Sequence, residues 1–361
     1  MKGYYITNLN LNEQSGVSKK IDMQISAIKS LGHEIELISY FKRYRLRKLK
    51  ALTTRLPFFP LSSRWKYKNF YKGADFFYIR YPLADKWLIR FFKKLKKENP
   101  NSKLIIEVAT FPYDGEAKSI SKKMRFAKDK VYRTKMKEYV DFIVTSSKYN
   151  TIYGVPTVNI HNGFDVDQVP IANSEKEDEN ITLATVSSLS FWQGFDRVIE
   201  GLYKYNQQGN NNVRFLIIGE GGERDRLYKL ADKYGLIDSE TVIFTGELHG
   251  KELDLMFDKI DIGIGCLGLH RKNMSYVNTL KVREYCARGI PFIIANEEGG
   301  INESKSFVCR VSSDDSPINI NKIIDFYHSV SEKKDFREEL RNYAKLNLTW
   351  KAQMDKVMKK I

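Results

Sequence analysis

Short apolar runs alternate with helical patterns along the whole chain. In the first half, segments whose apolar residues recur every three or four positions, such as Val17, Ile21, Ile25 and Ile28, separate runs rich in Ile, Val, Tyr and Phe. The second half repeats this alternation, which predicts parallel sheets covered by helices. The predicted strands lie near residues 2–8, 34–40, 75–80, 103–108, 140–145 and 155–160, and then near 181–187, 213–219, 241–245, 261–265, 291–295 and 307–311.

The length and the turn signals indicate two domains. A chain of 361 residues exceeds one typical hydrophobic core. The turn at Asn162-Gly163-Phe164-Asp165 follows the last strand of the first series, and a polar run at 173–180 comes next. We therefore expect an α/β protein with two Rossmann-like doubly wound domains, at 1–165 and 166–340, followed by a C-terminal helical segment at 341–361.

Charge is distributed unequally between the halves. Residues 1–165 contain 33 Lys and Arg against 14 Asp and Glu, whereas residues 166–361 contain 27 against 30. The whole basic excess, +16 over the chain, therefore belongs to the first half, mainly to 42–50, 93–97 and 118–137. A surface of this sign attracts anionic lipid, nucleic acid or a phosphorylated substrate.

The segment 87–97 predicts an amphipathic helix with Trp87, Leu88, Phe91, Phe92 and Leu95 on one face and basic residues on the other. Such a helix can lie in a membrane interface. It can equally be a domain helix whose apolar face packs on its own sheet. Both interpretations hold together if the basic face alone meets a membrane.

Compartment signals are few. Cys266, Cys286 and Cys309 lie far apart, which suits neither a zinc knuckle nor a disulfide framework and favours a reducing cytosol. The first ten residues lack the long apolar core of a signal peptide. No run approaches the ~18–20 apolar residues of a spanning helix, so we expect a soluble or peripheral protein.

The most informative segment is 279–294, which predicts a loop, a short helix, a glycine turn and a buried strand. Unpaired amides at a helix N-terminus form an anion site, to which Lys281 adds a full positive charge. Glu284, on the same face, can accept hydrogen bonds from neutral hydroxyl groups. An anion site beside a hydroxyl acceptor indicates a nucleotide diphosphate, placed at the carboxyl ends of the strands.

This segment resembles the nucleotide-sugar-binding signature of glycosyltransferase family 4. Segments 187–202, 215–221 and 242–248 resemble further strand ends of that family's C-terminal domain, so the resemblance covers most of 155–300 in the right order. The resemblance implies a GT-B fold, in which two Rossmann-like domains face each other across a cleft. It also implies that 341–361 crosses back onto the N-terminal domain.

The family's activity gives further expectations. The resemblance implies a retaining, metal-independent, hexosyltransferase-type enzyme without a cofactor, which transfers sugar from a nucleoside-diphosphate sugar to a glycan or lipid-linked acceptor for surface polysaccharide or glycoconjugate synthesis. We expect it at the cytoplasmic face of an anionic membrane. The candidate catalytic residues are Lys281 and Glu284; the candidate donor-binding residues are Gly16, Ser188, Gln193, Gly219, Leu248, Arg271, Thr279, Leu280, Lys281 and Glu284; the acceptor-side candidates are Glu107, Asp114 and His161.

Most of these positions have a structural alternative. The loop 14–18 can be a plain helix start capped by Ser15, and Gly219 can simply turn the chain. Leu248 can be core rather than base contact, and Arg271 can be a solvated loop charge. The remaining alternatives are that Glu107, Asp114 and Glu116 pair with surrounding lysines and that His161 is structural.

The chain also departs from the family pattern. Tyr276 stands where many members have a first glutamate, and Ser188 and Gln193 stand where they have an Arg and a Lys for the diphosphate. Lys281 and Arg271 are the available replacement cations. The departures allow an alternative function, a non-catalytic GT-B subunit that stabilises a partner glycosyltransferase. A nucleotide-sugar epimerase also shares the fold, whereas nucleic-acid binding finds no recognised motif.

Overall fold

The computed structural model describes residues 1–11, 15–41, 65–114, 119–173 and 180–361. The basic run at 42–50, Gln14, Glu116, Lys118 and most of the polar run at 173–180 lie outside these residues. The chain divides into two compact units, one formed by Met1–His161 with Trp350–Ile361 and the other by Asn162–Thr349. Both are α/β units built on a parallel sheet, as the sequence predicts.

The first unit contains a seven-stranded sheet with the order β2-β1-β3-β4-β5-β7-β6, in which only the β6–β7 pair is antiparallel. Every strand predicted in this half is present. The strands are β1 (Lys2–Thr7), β2 (Glu34–Ser39), β3 (Phe76–Arg80), β4 (Lys103–Val108), β5 (Phe142–Thr145), β6 (Thr151–Ile152) and β7 (Val155–Asn159), and the helices are α1 (Gly16–Ser30), α2 (Lys86–Glu98) and α3 (Ile120–Arg133).

Helix α2 is the amphipathic segment predicted at 87–97. Asp85 caps its N-terminus by accepting from the amides of Trp87 at 2.9 Å and Leu88 at 2.8 Å. Its apolar face, which includes Phe91 and Phe92, is buried in the core of the first unit. The interpretation as a domain helix is therefore confirmed. Of the basic residues in this segment, Arg90, Lys93, Lys94 and Lys97 are exposed.

The second unit contains a six-stranded parallel sheet with the order β10-β9-β8-β11-β13-β15, and a separate two-stranded ladder β12-β14. The strands are β8 (Ile181–Val186), β9 (Val213–Ile218), β10 (Val242–Gly246), β11 (Ile262–Ile264), β12 (Tyr276–Val277), β13 (Phe292–Ile294), β14 (Glu297–Glu298) and β15 (Val308–Arg310). The helices are α4 (Asp196–Asn206), α5 (Arg224–Lys233), α6 (Gly250–Phe257), α7 (Leu280–Arg288), α8 (Ile320–Ser331) and α9 (Phe336–Asn347).

The C-terminal segment expected at 341–361 is divided between the units. Helix α9 ends at Asn347 and packs against α7 in the second unit. The last helix, α10 (Trp350–Met358), belongs to the first unit, where it packs against α1 and buries Trp350 and Met354. The unit boundaries thus fall at 161/162 and 349/350 rather than at 165/166 and 340/341.

Within the described ranges, no helix has the length and apolar character needed to cross a membrane.

Candidate functional site

The helix that carries the candidate catalytic residues, α7, begins after Thr279, whose backbone is extended. The Thr279 side chain does not cap the helix. Its hydroxyl instead donates to Oε2 of Glu298 at 2.9 Å, and its amide donates to Oε1 of the same carboxylate at 2.5 Å. First-turn amides have no acceptor within their own helix, so they can still donate to an anion, and the anion site at this N-terminus stays a prediction.

Lys281 is buried in the first turn of α7, with 8% of its surface exposed. Its ammonium donates to the amide oxygen of Gln193 at 2.9 Å and to the carbonyl of Gly265 at 3.1 Å, and it lies 4.9 Å from the ring centroid of Phe195. Burial lowers its pKa from 10.5 to about 8. No carboxylate of the described chain forms an ion pair with it. Two residues that the sequence places in the site are thus in direct contact.

The loop after β8 holds Gln193 in this position through two glycines. A short 3-10 turn at Phe191–Gln193 ends at Gly194, which has a left-handed backbone with φ of 72°. A Cβ on Gly194 would lie 2.7 Å from the amide nitrogen of Gly268, so only glycine allows the two loops to approach this closely. The amide of Leu267 then donates to the carbonyl of Gln193 at 2.9 Å. Lys281 therefore meets Gln193 beyond the carboxyl end of β11.

Gly219 follows β9 and supports the same loop from the other side. Its φ is 132°, and a Cβ would lie 2.1 Å from the carbonyl oxygen of Ser187. Backbone packing between two loops thus accounts for this glycine, as the turn interpretation expects. Ser188 is exposed beside this contact. Roles of Gly219 and Ser188 in donor binding stay predictions.

Glu284 lies one turn into α7, where its side chain is 19% exposed. Its Oε1 accepts from Nε of Arg288 at 3.0 Å, and Arg288 also donates to Asp254 at 2.6 Å. The guanidinium of Arg288 lies 4.0 Å from the ring centroid of Phe257, which fixes its plane. Burial raises the pKa of Glu284, and Arg288 opposes that rise. The result is an oriented carboxylate with room to accept a hydroxyl group.

Arg271 is held by carboxylates and a carbonyl group, and a role for it in donor binding stays a prediction. It donates to both oxygens of Asp196, at 3.0 and 3.1 Å, to Asp315 at 2.7 Å and to the carbonyl of Phe191 at 2.8 Å. It is therefore not a solvated loop charge, and its charge is already balanced by two carboxylates. Of the two replacement cations, only Lys281 lacks a carboxylate partner in the described chain.

Three further donor-side candidates, Leu248, Leu280 and Gly16, have surroundings that do not require a ligand. Leu248 is half-buried against the core of the second unit, and Leu280 is 56% exposed. Gly16 begins α1 in the first unit, where the hydroxyl of Ser15 accepts from the amide of Ser18 at 3.2 Å. A Cβ on Gly16 would meet nothing within 4 Å. Helix capping by Ser15 thus explains this segment without a ligand.

The acceptor-side carboxylates are both paired with basic residues, as the structural alternative expects. Glu107 is buried and forms ion pairs with Lys20 at 3.0 Å and Arg80 at 3.2 Å. Although burial acts in the opposite direction, these cations lower the pKa of Glu107. Asp114 receives two hydrogen bonds from Arg133, at 2.8 and 3.1 Å, which lower its pKa.

His161 lies at the end of the first unit's main segment. Its amide donates to the side-chain oxygen of Gln353 in α10 at 3.0 Å. This contact connects the segment to the C-terminal helix of the same unit. An acceptor role for His161 stays a prediction.

Sequence reasoning missed a fully buried ion pair behind the site. Arg283 lies 3.1 Å from Glu298, and its guanidinium also donates to the carbonyls of Asn162 at 2.6 Å and Gly299 at 2.5 Å. Shorter bonds join it to Thr279 and Asn278. Burial raises the pKa of Glu298, against the effect of Arg283. The pair thus fixes the segment that begins α7. The sequence feature that could have indicated this pair is Arg283 itself, an arginine at an otherwise apolar position of the helix.

Comparisons with known proteins give both a family model and structural relatives. Residues 168–347 match the family model described as "Glycosyl transferases group 1". The whole chain is similar in structure to HepE from Anabaena in complex with UDP, with a TM-score of 0.58 at 13% identity and full coverage of both chains. It is also similar to the lipopolysaccharide outer core galactosyltransferase WaaB (TM-score 0.57, 12% identity, full coverage of both chains).

A glycosyltransferase from Rickettsia africae gives a TM-score of 0.60 at 15% identity, over 99% of this chain and 97% of that one. A comparison with the sequences of curated proteins gives no match. At these identities the structural similarity establishes the fold, and the family model identifies the second unit. The chain is a GT-B protein whose second unit, over residues 168–347, belongs to the group 1 glycosyl transferases.

Proposed function

We propose that this protein is a retaining, metal-independent glycosyltransferase that moves a hexose from a nucleoside-diphosphate sugar to a glycan or lipid-linked acceptor in surface polysaccharide or glycoconjugate synthesis. The observation that carries the proposal is Lys281, a buried cation at the start of α7 with no carboxylate partner in the described chain. A buried ammonium without a counter-ion is costly for folding. Binding of a diphosphate would supply the missing counter-ion.

The same arrangement suits the chemistry of glycosyl transfer. As the bond to the leaving diphosphate breaks, negative charge grows on its oxygens. The Lys281 ammonium and the first-turn amides of α7 are fixed before the reaction, so they stabilise that charge without reorganisation. Gln193 holds the ammonium through a neutral oxygen and therefore leaves its charge available.

Glu284 would bind the nucleoside part of the donor. Its carboxylate is held by Arg288 and remains partly exposed, so it can accept hydrogen bonds from vicinal ribose hydroxyls. Glu107, by contrast, is buried and ion-paired, which disfavours it as a general base. We therefore assign no side-chain base to the reaction.

UDP-sugars are the donors to test first. HepE has been solved with UDP and with UDP-glucose, which supports a uridine donor for a protein of the same fold. WaaB is described as a lipopolysaccharide outer core galactosyltransferase, which supports a surface glycan as acceptor. The basic excess of residues 1–165 supports a location at the cytoplasmic face of an anionic membrane.

A non-catalytic subunit is the second candidate. Ser188, Gln193 and Tyr276 stand where the family resemblance places two donor-binding cations and a glutamate. A protein without those groups could keep the fold and act by stabilising a catalytic partner.

Thermal shift against UDP-, GDP-, ADP- and dTDP-sugars tests the proposal, because a ligand that binds the folded state raises apparent stability. We expect a shift with one base, lost in Lys281→Met and reduced in Glu284→Ala. The control is Lys229→Met, which removes an exposed lysine of α5. Donor consumption and the anomeric configuration of the product are then followed by NMR. A folded wild-type protein that neither binds nor consumes any donor would favour the non-catalytic subunit.

A further inference from the structure

Helix α3 exposes a row of apolar side chains. Ile120 is 78% exposed, Met124 is 43% exposed and Val131 is 60% exposed. Because an α-helix turns by about 100° per residue, these positions and the exposed Ala127 share one side of the helix. A surface helix of a globular domain normally buries such a row, as α2 does.

The opposite side of α3 is firmly anchored. Asp129 is fully buried and accepts from the amide of Ala84 at 2.6 Å and from the hydroxyl of Tyr113 at 2.7 Å. Phe126 stacks on Tyr113 with ring centroids 5.5 Å apart. Arg133 pairs with Asp114 at the end of the helix. These contacts orient the helix, so that the apolar row faces away from the core of the first unit.

The exposed part of α3 is otherwise basic. Its sequence, ISKKMRFAKDKVYR, contains one acidic residue, and that residue is the buried Asp129. Lys123 and Lys130 are exposed along one edge of the apolar row, and Lys128 is half-buried along the other. An apolar row bordered by lysines, with no exposed carboxylate on the helix, is complementary to an anionic lipid surface.

We propose that α3 is the membrane-docking element of this protein. Ile120, Met124 and Val131 would insert at the boundary between headgroups and acyl chains, and Lys123 and Lys130 would meet lipid phosphates. This inference rests on the proposed function, which places the acceptor at a membrane. In the segment 87–97 the apolar face of α2 is buried, so only its basic face could meet a membrane.

Cosedimentation of the full-length protein with vesicles tests the inference. The vesicles contain phosphatidylcholine with about one third phosphatidylglycerol, and pure phosphatidylcholine vesicles are the neutral comparison. We expect binding to the anionic vesicles to fall about tenfold in the double variant Ile120→Ser with Val131→Ser, because two exposed aliphatic groups no longer insert. The matched control is Leu346→Ser, which removes a side chain that is 76% exposed on α9.

A second pair of variants separates α3 from α2. The double variant Lys123→Gln with Lys130→Gln should lose about fivefold in binding for each lysine removed. Lys93→Gln with Lys97→Gln, which removes two exposed lysines of α2, should lose less. A larger loss from the α2 pair would overturn the assignment to α3. Equal binding to neutral and anionic vesicles would overturn the role of the lysines.

A site-specific probe does not depend on the stability of the serine variants. All three native cysteines are buried, so Met124→Cys can be labelled selectively with an environment-sensitive fluorophore. We expect a blue shift with anionic vesicles at position 124 and none for Leu346→Cys. An unchanged spectrum at position 124 while the protein sediments with vesicles would overturn the inference.

Donor binding is measured on the same samples by thermal shift. Wild-type protein that shows the donor shift but does not bind anionic vesicles would overturn the α3 assignment and leave the transferase proposal standing. Vesicle binding through α3 without any donor shift would support the α3 assignment and contradict the transferase proposal. Capture of α3 by a protein while vesicles fail to bind would identify the row as a protein interface and overturn the lipid proposal.

Discussion

The ammonium of Lys281 lies 2.9 Å from the amide oxygen of Gln193, a residue 88 positions earlier in the chain. The first belongs to the first turn of α7 and the second to the loop that follows β8. In a parallel sheet the carboxyl ends of neighbouring strands lie at one edge, and this geometry brings the two segments together. The site therefore combines a buried cation that has no carboxylate partner in the described chain, supplied by the helix, with a neutral amide in the loop.

Exchanging the two side chains tests whether charge or position matters. Lys281→Gln should weaken donor binding about tenfold or more, because the diphosphate loses its cation. The double variant Gln193→Lys with Lys281→Gln returns an ammonium to the same place and should recover most of that loss, as measured by calorimetric titration with the donor. If the double variant binds no better than Lys281→Gln, a cation supplied by the loop cannot replace the helix lysine.

The lowered pKa of Lys281 makes the stability of the free protein depend on pH. Between pH 8 and pH 10.5 the unfolded chain retains a proton that the folded protein has released, so stability rises with pH in this window. Relative to Lys281→Met, the wild type should gain about 2.5 kcal/mol in free energy of unfolding from neutral pH to about pH 10. Urea denaturation of both proteins at several pH values measures the difference. Parallel pH profiles would contradict a buried, titrating ammonium.

Much of the fold follows from the sequence. Each strand predicted from an apolar run is present in the structure, and helical periodicity predicts the helix α2. The neighbourhood of Lys281 and Gln193 also follows, because strand order implies a shared edge. The pairing of Arg271 with Asp196 could not be predicted, since it depends on side-chain geometry between segments 75 residues apart. Likewise, periodicity identifies an apolar face but not whether another element covers it, so the sequence alone does not distinguish the buried face of α2 from the exposed row of α3.

The buried pair Arg283–Glu298 should be important for stability. Glu298→Gln leaves a buried guanidinium without its counter-ion and should cost about 3 kcal/mol of unfolding free energy. The double variant Arg283→Met with Glu298→Leu should cost less than the sum of its single changes, because no unpaired charge remains. Urea denaturation measures Glu298→Gln together with the four proteins of the cycle, namely the wild type, Arg283→Met, Glu298→Leu and the double variant. Additive costs would show that the two residues act independently.

Gly194 should tolerate no side chain. Gly194→Ala combines a left-handed backbone with a contact of 2.7 Å to Gly268, so we expect a loss of about 2–4 kcal/mol and weaker donor binding through displaced Gln193. Gly209→Ala is the matched control, because Gly209 has φ of 86° but nothing within 4 Å of its Cβ position. It should cost only about 1–2 kcal/mol, with donor binding unchanged. Equal effects of the two changes would mean that the close approach to Gly268 is unimportant.

Glu284 should bind the ribose hydroxyls of the donor. If its carboxylate accepts hydrogen bonds from the ribose hydroxyls, wild-type protein should bind UDP more tightly than 2′-deoxy-UDP or 3′-deoxy-UDP by about 10- to 100-fold, since a hydrogen bond to a charged acceptor contributes about 1.5–3 kcal/mol. Glu284→Ala should bind all three ligands with similar, weak affinity. Arg288→Met should reduce the discrimination only in part, because Arg288 orients the carboxylate without touching the ligand. If the wild type binds UDP and both deoxy analogues equally well, Glu284 does not contact the ribose. If Glu284→Ala still prefers UDP, another residue makes the ribose contact.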